Sequence, residues 1–207
     1  MSGSPERLAM FPLGTVIFPY SGVPLRVFEP RYVVLLEAVL SDQNTFGSVL
    51  IERGFEVGGG DVRSAVGTRL RVLAHQDLPD GHHAILVAGV ERIRVIEWLE
   101  DDPHPWAVVE PFPDVDGEVI DLRAGVCSRL ERMLAMASEL GADTADVDLD
   151  VGEDPVAMSY QLAALVPVTA LDSYALLCAP GPRERMQLAA GLLDDQIELI
   201  RLRLSGS

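Results

Sequence analysis

The chain has 207 residues, 48% of them apolar, and a formal net charge of −16 at pH 7. This length suffices for one large domain or two small lobes with a hydrophobic core, and the composition indicates a globular protein rather than a disordered one. Because nucleic acids and anionic lipids are held mainly by cationic side chains, such an acidic chain is not expected to bind them through its overall charge.

All 16 basic residues are arginine, so the sequence contains no lysine. A Walker A loop needs a lysine at the nucleotide phosphates, a Ser-Lys peptidase needs one as its base, and a Schiff-base enzyme needs one as its nucleophile. The composition therefore excludes all three kinds of active site from this chain.

Two further features concern the cellular compartment. Cys127 and Cys178 form no CxxC pair and fall in apolar helical segments, which is typical of free thiols in a reducing compartment. Prolines and a glycine interrupt the N-terminal apolar run, so it does not resemble a signal peptide. Segment 156–179 contains polar residues and a proline, which makes it a poor transmembrane candidate. We expect a soluble cytoplasmic protein.

The first half of the chain has the pattern of short strands around one helix. Apolar alternation bounded by Pro and Gly predicts strands at 8–11, 15–18, 24–28, 46–52, 66–75, 82–88, 90–99 and 106–111. Residues 29–40 predict a helix, because Pro30 suits a first turn and apolar residues follow at helical spacing. Asp80-Gly81 is typical of a hairpin turn. A glycine-rich loop is predicted at 54–60.

From Asp116 onward the pattern changes to helices. Apolar residues at helical spacing predict a long helix over 118–140, with Asp116 as its N-cap. Three more helices are predicted after it, and their starts are marked by Asp154-Pro155, by Thr169 with Asp172, and by Pro182. The apolar stripes of these helices are expected to form a core.

Residues 10–32, with the sequence MFPLGTVIFPYSGVPLRVFEPRY, carry the most specific pattern of the chain. Its pieces are FPL at 11–13, VIFP at 16–19, PL at 24–25 and FEPRY at 28–32, and a predicted helix follows directly. This order and spacing resembles the N-terminal domain of Lon proteases, also called the Lon substrate-binding domain. Weaker motifs that arrive in the same order extend the resemblance over residues 8–204.

The resemblance implies an α+β fold. A β-rich pseudo-barrel of the PUA-like kind is expected over residues 6–113, and a helical lobe of the same domain over 114–204. In Lon proteases the domain is joined to an ATPase and a peptidase, for which 207 residues leave no room. We therefore interpret the chain as a stand-alone, non-catalytic copy of the domain.

The motif residues are expected to build the domain rather than to perform a reaction. Glu29 is predicted to cap the following helix, and Arg31 to pair with a carboxylate of the β lobe. Phe28 and Tyr32 are predicted to pack under the barrel. The full set predicted to be structural is Phe18, Pro19, Pro24, Leu25, Phe28, Glu29, Pro30, Arg31 and Tyr32.

The acidic stretch 143–154 invites a calcium interpretation that its spacing does not support. Counted from Asp146, the positions at which an EF-hand loop needs glycine and glutamate hold Val151 and Ala157. We predict a solvated acidic linker between two helices.

The histidines do not predict a metal site either. His82 and His83 lie beside the predicted hairpin turn, and His75 is placed across the hairpin from them. Adjacent strand residues point to opposite faces, and neither cysteines nor an HExxH spacing supports zinc. His104 is expected to face solvent. We predict neither a metal nor a cofactor.

The resemblance implies a non-enzymatic protein that binds unfolded or degron-bearing proteins or a specific protein partner, or acts as an adaptor in protein quality control. Such binding requires a concave apolar surface with a polar rim, which we expect between the two lobes. The candidate peptide-binding residues are Met10, Phe11, Tyr20 and Trp106.

The alternative is a PUA-like nucleic-acid or small-molecule binder, since PUA-like folds include RNA-binding members. An RNA-binding role predicts a basic groove that contains Arg69, Arg71, Arg92 and Arg94. On strands of alternating pattern, the same arginines are more typical of outward-facing positions, which is the interpretation we favour. The acidity of the chain favours the protein-binding interpretation, with neither nucleic acid nor membrane as a partner.

Overall fold

The computed structural model describes residues 4–53, 62–142, 149 and 151–205. It divides into two compact units, one formed by residues up to Pro113 and one by residues from Asp114 onward. The predicted glycine-rich loop and most of the predicted acidic linker lie outside the described residues.

Within the described part of the first unit, six strands and one helix form the regular structure. In chain order they are β1 (Glu6–Ala9), β2 (Gly22–Val27), α1 (Pro30–Ser41), β3 (Thr45–Arg53), β4 (Val62–Asp77), β5 (His83–Trp98) and β6 (Trp106–Pro111). The strands pair antiparallel in the order β1-β6-β5-β4-β3, and β2 also pairs with β5. We call this unit the β unit.

The segment after β1 joins the two ends of this sheet. Met10 and Leu13 form parallel bridges with Gly47 and Leu50 of β3. The Phe11 amide donates to the Gly47 carbonyl at 2.7 Å. Because β1 itself pairs with β6, the segment closes the sheet into a pseudo-barrel around apolar side chains such as those of Phe11, Phe46, Leu70 and Val87.

The strand predicted at 15–18 is absent, which is a correction to the sequence analysis. This stretch forms no ladder of backbone pairs with a neighbouring strand. Single hydrogen bonds link it and the turn that follows it to β4 and β5. The Thr68 hydroxyl donates to the Ile17 carbonyl at 2.5 Å, and the Tyr20 amide donates to the Gly89 carbonyl at 2.9 Å. A Cβ at Gly89 would lie 2.1 Å from the Phe18 carbonyl oxygen, so only glycine fits this approach.

The β4–β5 hairpin agrees with the prediction except in one detail. Asp80 and Gly81 have φ angles of 69° and 72° in the turn, the left-handed values that this dipeptide favours. The two strands predicted at 82–88 and 90–99 are one strand, β5, with a register shift where Leu70 pairs with Gly89 and Arg69 with Glu91. A β-bulge therefore stands where the sequence indicated a break.

The second unit contains four helices within its described residues. They are α2 (Ile120–Glu139), α3 (Pro155–Ala164), α4 (Ala170–Cys178) and α5 (Pro182–Ser205). α5 packs against α2 and α3, and buried apolar residues from each helix meet at these contacts. Among the described residues, none of the helices combines the length and apolarity that a membrane-spanning segment needs. We call this unit the helical unit.

The predicted starts of α3 and α4 are confirmed, whereas that of α2 is wrong. Asp154 accepts the Ala157 amide at 2.7 Å, and Thr169 accepts the Asp172 amide at 3.2 Å. Asp116 does not cap α2, which begins after Val119 without a side-chain cap. The Val115 amide instead donates to the Pro180 carbonyl, which holds this stretch outside the helix.

A buried arginine organises the start of α5. The Arg185 side chain is fully buried, donates to the Leu176 carbonyl at 3.1 Å and to the Ser159 hydroxyl at 2.7 Å, and forms an ion pair with Asp114. The Tyr160 hydroxyl donates to the same carboxylate at 2.8 Å, and the Arg185 guanidinium lies 3.5 Å from the Tyr160 ring centre. The network satisfies a charge that would otherwise be costly to bury.

Candidate functional site

Two of the four candidate peptide-binding residues are core residues. Met10 is 0% exposed and Phe11 is 8% exposed, so the exposure expected from the sequence is wrong for both. The reason is the barrel closure, which places this segment against β3. The Phe11 ring stacks on Tyr32 with centroids 4.1 Å apart.

Tyr20 and Trp106 remain accessible in different places. Tyr20 is 50% exposed in a turn, with a φ of 62°. Trp106 is half-buried, and its ring lies beneath the Arg7 guanidinium at 4.1 Å and beside His104 at 4.7 Å. Its indole nitrogen is buried without a hydrogen-bond partner among the described residues. Tyr20 does not line the cleft that contains Trp106.

The cleft at Trp106 is small, and its lining is about half polar and half apolar. Its volume is about 160 Å³, and its charged lining comes from Glu6, Arg7, Asp42 and Arg69. A site of this size and polarity fits a single side chain or a small polar group better than an apolar peptide segment.

His104 does not face solvent as predicted, because it is only 2% exposed and packs against Trp106. Its Nδ1 lies 3.2 Å from the Pro105 carbonyl oxygen and donates to it. Desolvation by this burial lowers the pKa of His104 below the ordinary value of 6.5. The neutral imidazole is therefore the form that the folded β unit favours.

The FEPRY motif differs from its predicted contacts in two respects, the role of Glu29 and the burial of Phe28. Glu29 makes no side-chain cap to α1. It is instead the carboxylate of the β unit with which Arg31 pairs, at 3.1 Å, so the prediction for Arg31 is confirmed. Phe28 is 50% exposed rather than packed under the barrel, whereas Tyr32 is 3% exposed in the core as predicted.

The remaining motif residues occupy the start of the β unit. Phe18 and Pro19 are buried, Leu25 is half-buried on β2, and Pro24 and Pro30 are exposed. Their assignment to a structural role stays a prediction.

The four arginines of the alternative interpretation do not form a basic groove. Arg69 is paired with Glu6 and, at 2.8 Å, with Glu91. Arg92 is 3% exposed and donates to the Phe112 carbonyl at 2.9 Å, and Arg94 lies 3.9 Å from the Phe112 ring centre. Arg71 is exposed. Phosphate binding requires accessible cations, and two of the four, Arg69 and Arg92, are committed to buried contacts, whereas Arg71 and Arg94 are exposed.

An apolar concavity lies within the helical unit, between α2, α5 and the segment after α3. Its volume is about 470 Å³, which is the size range of small-ligand and peptide side-chain pockets. The residues that line it are Met133, Leu134, Ala137, Leu140, Ala142, Leu165, Pro167, Gln196, Ile200 and Arg203. We call it the helical-unit groove.

The floor and the mouth of this groove differ in chemistry. Met133 and Ile200 are buried in the floor, and Leu140 is 43% exposed at the mouth. Gln196 and Arg203 are the polar residues of the lining. An apolar side chain seated here would leave water while its neighbouring backbone kept access to solvent and to polar partners.

Sequence reasoning identified the groove residues only as part of amphipathic stripes. Met133, Ala137 and Leu140 recur at helical spacing on α2, and Ile200 belongs to the stripe of α5. A periodic pattern indicates which face is apolar but not whether another element covers it completely.

The profile of the ATP-dependent protease La (LON) substrate-binding domain matches residues 7–195 of the chain. Among curated proteins, the chain is similar to Lon protease 2 of Sorangium cellulosum, with 27% identity over 207 residues that cover 96% of this chain and 26% of the relative. It is also similar to the Lon protease of Desulfovibrio desulfuricans, with 28% identity over 100% of this chain and 24% of the relative. The chain spans about a quarter of the length of these relatives.

Two solved structures have the same architecture. A Lon N-terminal domain protein from Xanthomonas campestris matches with a TM-score of 0.63 and 26% identity, over 88% of this chain and 95% of that one. The N-terminal domain of a Mycobacterium avium complex Lon protease matches with a TM-score of 0.65 and 16% identity, over 92% of this chain and 99% of that one, which shows a shared fold. The predicted α+β architecture is confirmed. Because the profile covers most of the sequence, the chain belongs to the Lon substrate-binding domain family.

Proposed function

We propose that the protein binds exposed apolar segments of unfolded or degron-bearing proteins through the helical-unit groove, and that it does so without catalysing a reaction. The observation that carries this proposal is an apolar groove of about 470 Å³ in a member of a substrate-binding domain family. Burial of an apolar side chain contributes roughly 1.5–3 kcal/mol, so one or two such anchors give weak, reversible binding. Weak binding suits a domain that must release its clients.

The charge of the chain supports the choice of client. With a net charge of −16, the protein repels acidic polypeptides and attracts basic ones at a distance. The groove itself is mainly apolar, so affinity at the site should resist salt, whereas the attraction at a distance should not. The sequence contains no lysine, which supports a role that involves neither a Walker A loop, nor a Ser-Lys peptidase dyad, nor a Schiff base.

The test is binding of a fluorescently labelled, chemically unfolded reference protein at low and high salt, measured by anisotropy, with the native form as control. We expect selective binding of the unfolded form that persists at high salt. No binding to either form would contradict the proposal.

A matched pair of leucines locates the site. Leu140 lines the groove and Leu199 does not, yet each is 43% exposed and both belong to the helical unit. We expect Leu140→Gln to weaken client binding by about 1–2 kcal/mol, roughly five- to thirtyfold, because it removes apolar contact. Leu199→Gln should leave binding unchanged. Equal effects of the two variants would show that the groove is not the site.

An adaptor in protein quality control would in addition deliver the bound client to a separate protease. We expect such delivery to speed client degradation by a Lon-type protease and to be lost in Leu140→Gln. If the protein binds the client but the rate of client degradation does not change, the binding proposal stands and delivery to that protease is excluded.

A further inference from the structure

Three potential metal ligands meet at the end of the β4–β5 hairpin. Asp77 of β4 pairs directly with His83 of β5, and His75 lies two residues before Asp77 on the same face of the strand. His83 Nδ1 is 3.0 Å from His75 Nε2 and 3.0 Å from Asp77 Oδ1. His75 Nε2 is 3.2 Å from the same Asp77 oxygen.

The neighbouring histidine takes no part in this cluster. His82 points to the other face, where its Nδ1 lies 2.9 Å from Arg26 Nη2 and its ring centre lies 6.0 Å from that of Phe28. The sequence argument that His82 and His83 diverge is therefore correct. The third member of the cluster, Asp77, lies two residues after His75, and residues at i and i+2 of a strand point to the same face.

Hydrogen bonds alone do not satisfy all three contacts. If both imidazole nitrogens carry a proton and donate to Asp77, they face each other as two donors at 3.0 Å. If His83 Nδ1 instead accepts from His75, it presents a lone pair to the carboxylate oxygen. In each arrangement at least one of the three contacts is unfavourable. A cation that accepts a lone pair from each atom makes all three contacts favourable.

The three distances fit a transition metal. Ligand bonds of about 2.0–2.2 Å to nitrogen and oxygen place tetrahedral ligand atoms roughly 3.3–3.6 Å apart, and cis octahedral ones roughly 2.8–3.1 Å apart. Of the observed separations, the two of 3.0 Å lie in the octahedral range and the one of 3.2 Å lies between the two ranges. The atoms form a nearly equilateral triangle, so one ion above its centre reaches all three.

The strands hold the imidazoles in place on the core side of the sheet. His83 also pairs with Val27 of β2, and His75 pairs with Ile85, and both of these apolar residues are at most 3% exposed. The imidazole side chains are 27% and 15% exposed for His75 and His83, whereas Asp77 is 80% exposed. The two imidazoles are thus partly buried in the sheet, and the third ligand, the Asp77 carboxylate, approaches the ion from the solvent side.

We propose that His75, Asp77 and His83 bind a divalent transition-metal ion, with Zn²⁺ as the best fit. Two imidazole nitrogens and one carboxylate oxygen are a donor set typical of zinc, and three protein ligands leave one coordination position for water or an incoming ligand. The ion would cross-link β4 and β5 next to their turn. The net charge of −16 favours the approach of a cation. The site lies in the β unit and is independent of the proposed peptide groove.

The test is calorimetric titration of the metal-free, untagged protein with ZnCl₂, alongside the variants His83→Ala, Asp77→Asn and His82→Ala. We expect one ion per wild-type chain, and binding at least ~10-fold weaker in His83→Ala and Asp77→Asn because each removes a ligand. His82→Ala is the matched control, since it removes an adjacent imidazole on the opposite face and should keep the wild-type affinity.

A second measurement guards against a variant that fails to fold. Asp77 is largely exposed, so Asp77→Asn should retain the wild-type circular dichroism and melting temperature without metal. Zn²⁺ at a concentration near the wild-type Kd should raise the melting temperature of the wild type and of His82→Ala clearly more than that of Asp77→Asn. No heat and no melting shift with the wild type, or equal weakening by all three variants, would overturn the proposal.

Discussion

Arg92 of the β unit and Arg185 of the helical unit are both buried, but their hydrogen-bond acceptors differ. In the β unit, Arg92 donates to the Phe112 carbonyl at 2.9 Å and the Pro113 carbonyl at 3.2 Å, which are backbone acceptors near the end of β6. In the helical unit, Arg185 is paired with the Asp114 carboxylate and stacked on Tyr160. Arg92 therefore donates to backbone carbonyls, whereas Arg185 forms a side-chain ion pair; Arg69, a second buried arginine of the β unit, is also paired with carboxylates.

The two units also differ in the contacts that stabilise them. The β unit depends on backbone ladders and on close approaches that only glycine permits, as at Gly89. The helical unit depends on apolar helix contacts gathered around one charged network. We therefore expect the β unit to be most sensitive to changes at small residues, and the helical unit to changes at its buried charges.

The chain offers separate probes for the two units. Both tryptophans, Trp98 and Trp106, belong to the β unit, so their fluorescence reports on that unit. Far-ultraviolet circular dichroism reports mainly on the helical unit, which holds four of the five described α-helices. Unfolding followed by both probes therefore distinguishes the two kinds of sensitivity.

The largest effect is expected from Arg185→Met. This change leaves the Asp114 carboxylate, which is 8% exposed, without its cation, and breaking a buried pair in this way costs about 3–5 kcal/mol of unfolding free energy. Urea unfolding followed by circular dichroism should show the loss more strongly than tryptophan fluorescence. Arg183→Met is the control, because Arg183 forms a similar pair with Asp121 at the exposed surface and should matter far less. Equal losses in the two variants would refute the role of burial.

Gly89→Ala should reverse the pattern between the two probes. Its Cβ would lie 2.1 Å from the Phe18 carbonyl oxygen, and such overpacking costs about 1–3 kcal/mol. The loss should appear first in tryptophan fluorescence. Gly191→Ala on α5 has the opposite expectation, a gain of about 0.5–1 kcal/mol, because no atom lies within 4 Å of its added Cβ and alanine favours helix. A stable Gly89→Ala protein would show that the Phe18 approach is not fixed.

The smallest effect concerns pH and the β unit alone. Because burial lowers the pKa of His104 below 6.5, the unfolded chain binds more protons than the folded one as the pH falls through this region. The stability that His104 contributes is present above pH 6.5 and is lost as the pH falls towards the lowered pKa of the folded state. His104→Asn should flatten this dependence in tryptophan-monitored urea unfolding. An unchanged slope would mean that other groups cause it.

The sequence predicts local features with mixed success and long-range ones poorly. The caps at Asp154 and Thr169 are confirmed, because each depends on a few neighbouring residues, whereas those at Glu29 and Asp116 are wrong. Met10 and Phe11 were misplaced because their burial depends on β3, which lies more than thirty residues away in the chain. No local pattern contains that contact.

The candidate sites show the same limit. The stripe containing Leu140 was expected to be core, and only the packing of the helices shows that it remains partly open. The histidine cluster does not follow from the adjacency of His82 and His83 in the sequence, because it depends on which residues of β4 and β5 pair with each other. Once Asp77 is known to pair with His83, the i and i+2 spacing to His75 follows from the geometry of a strand.

The closure of the pseudo-barrel also has a consequence for synthesis on the ribosome. β1 emerges before the other strands of the β unit, yet its partner β6 follows about a hundred residues later, since Glu6 pairs with Val109. During most of translation the apolar N-terminal segment therefore lacks the ladder that will cover it. The nascent chain therefore exposes an apolar stretch of the kind that chaperones recognise. Such a stretch is also the kind of segment that we propose this member of a substrate-binding family binds in other proteins.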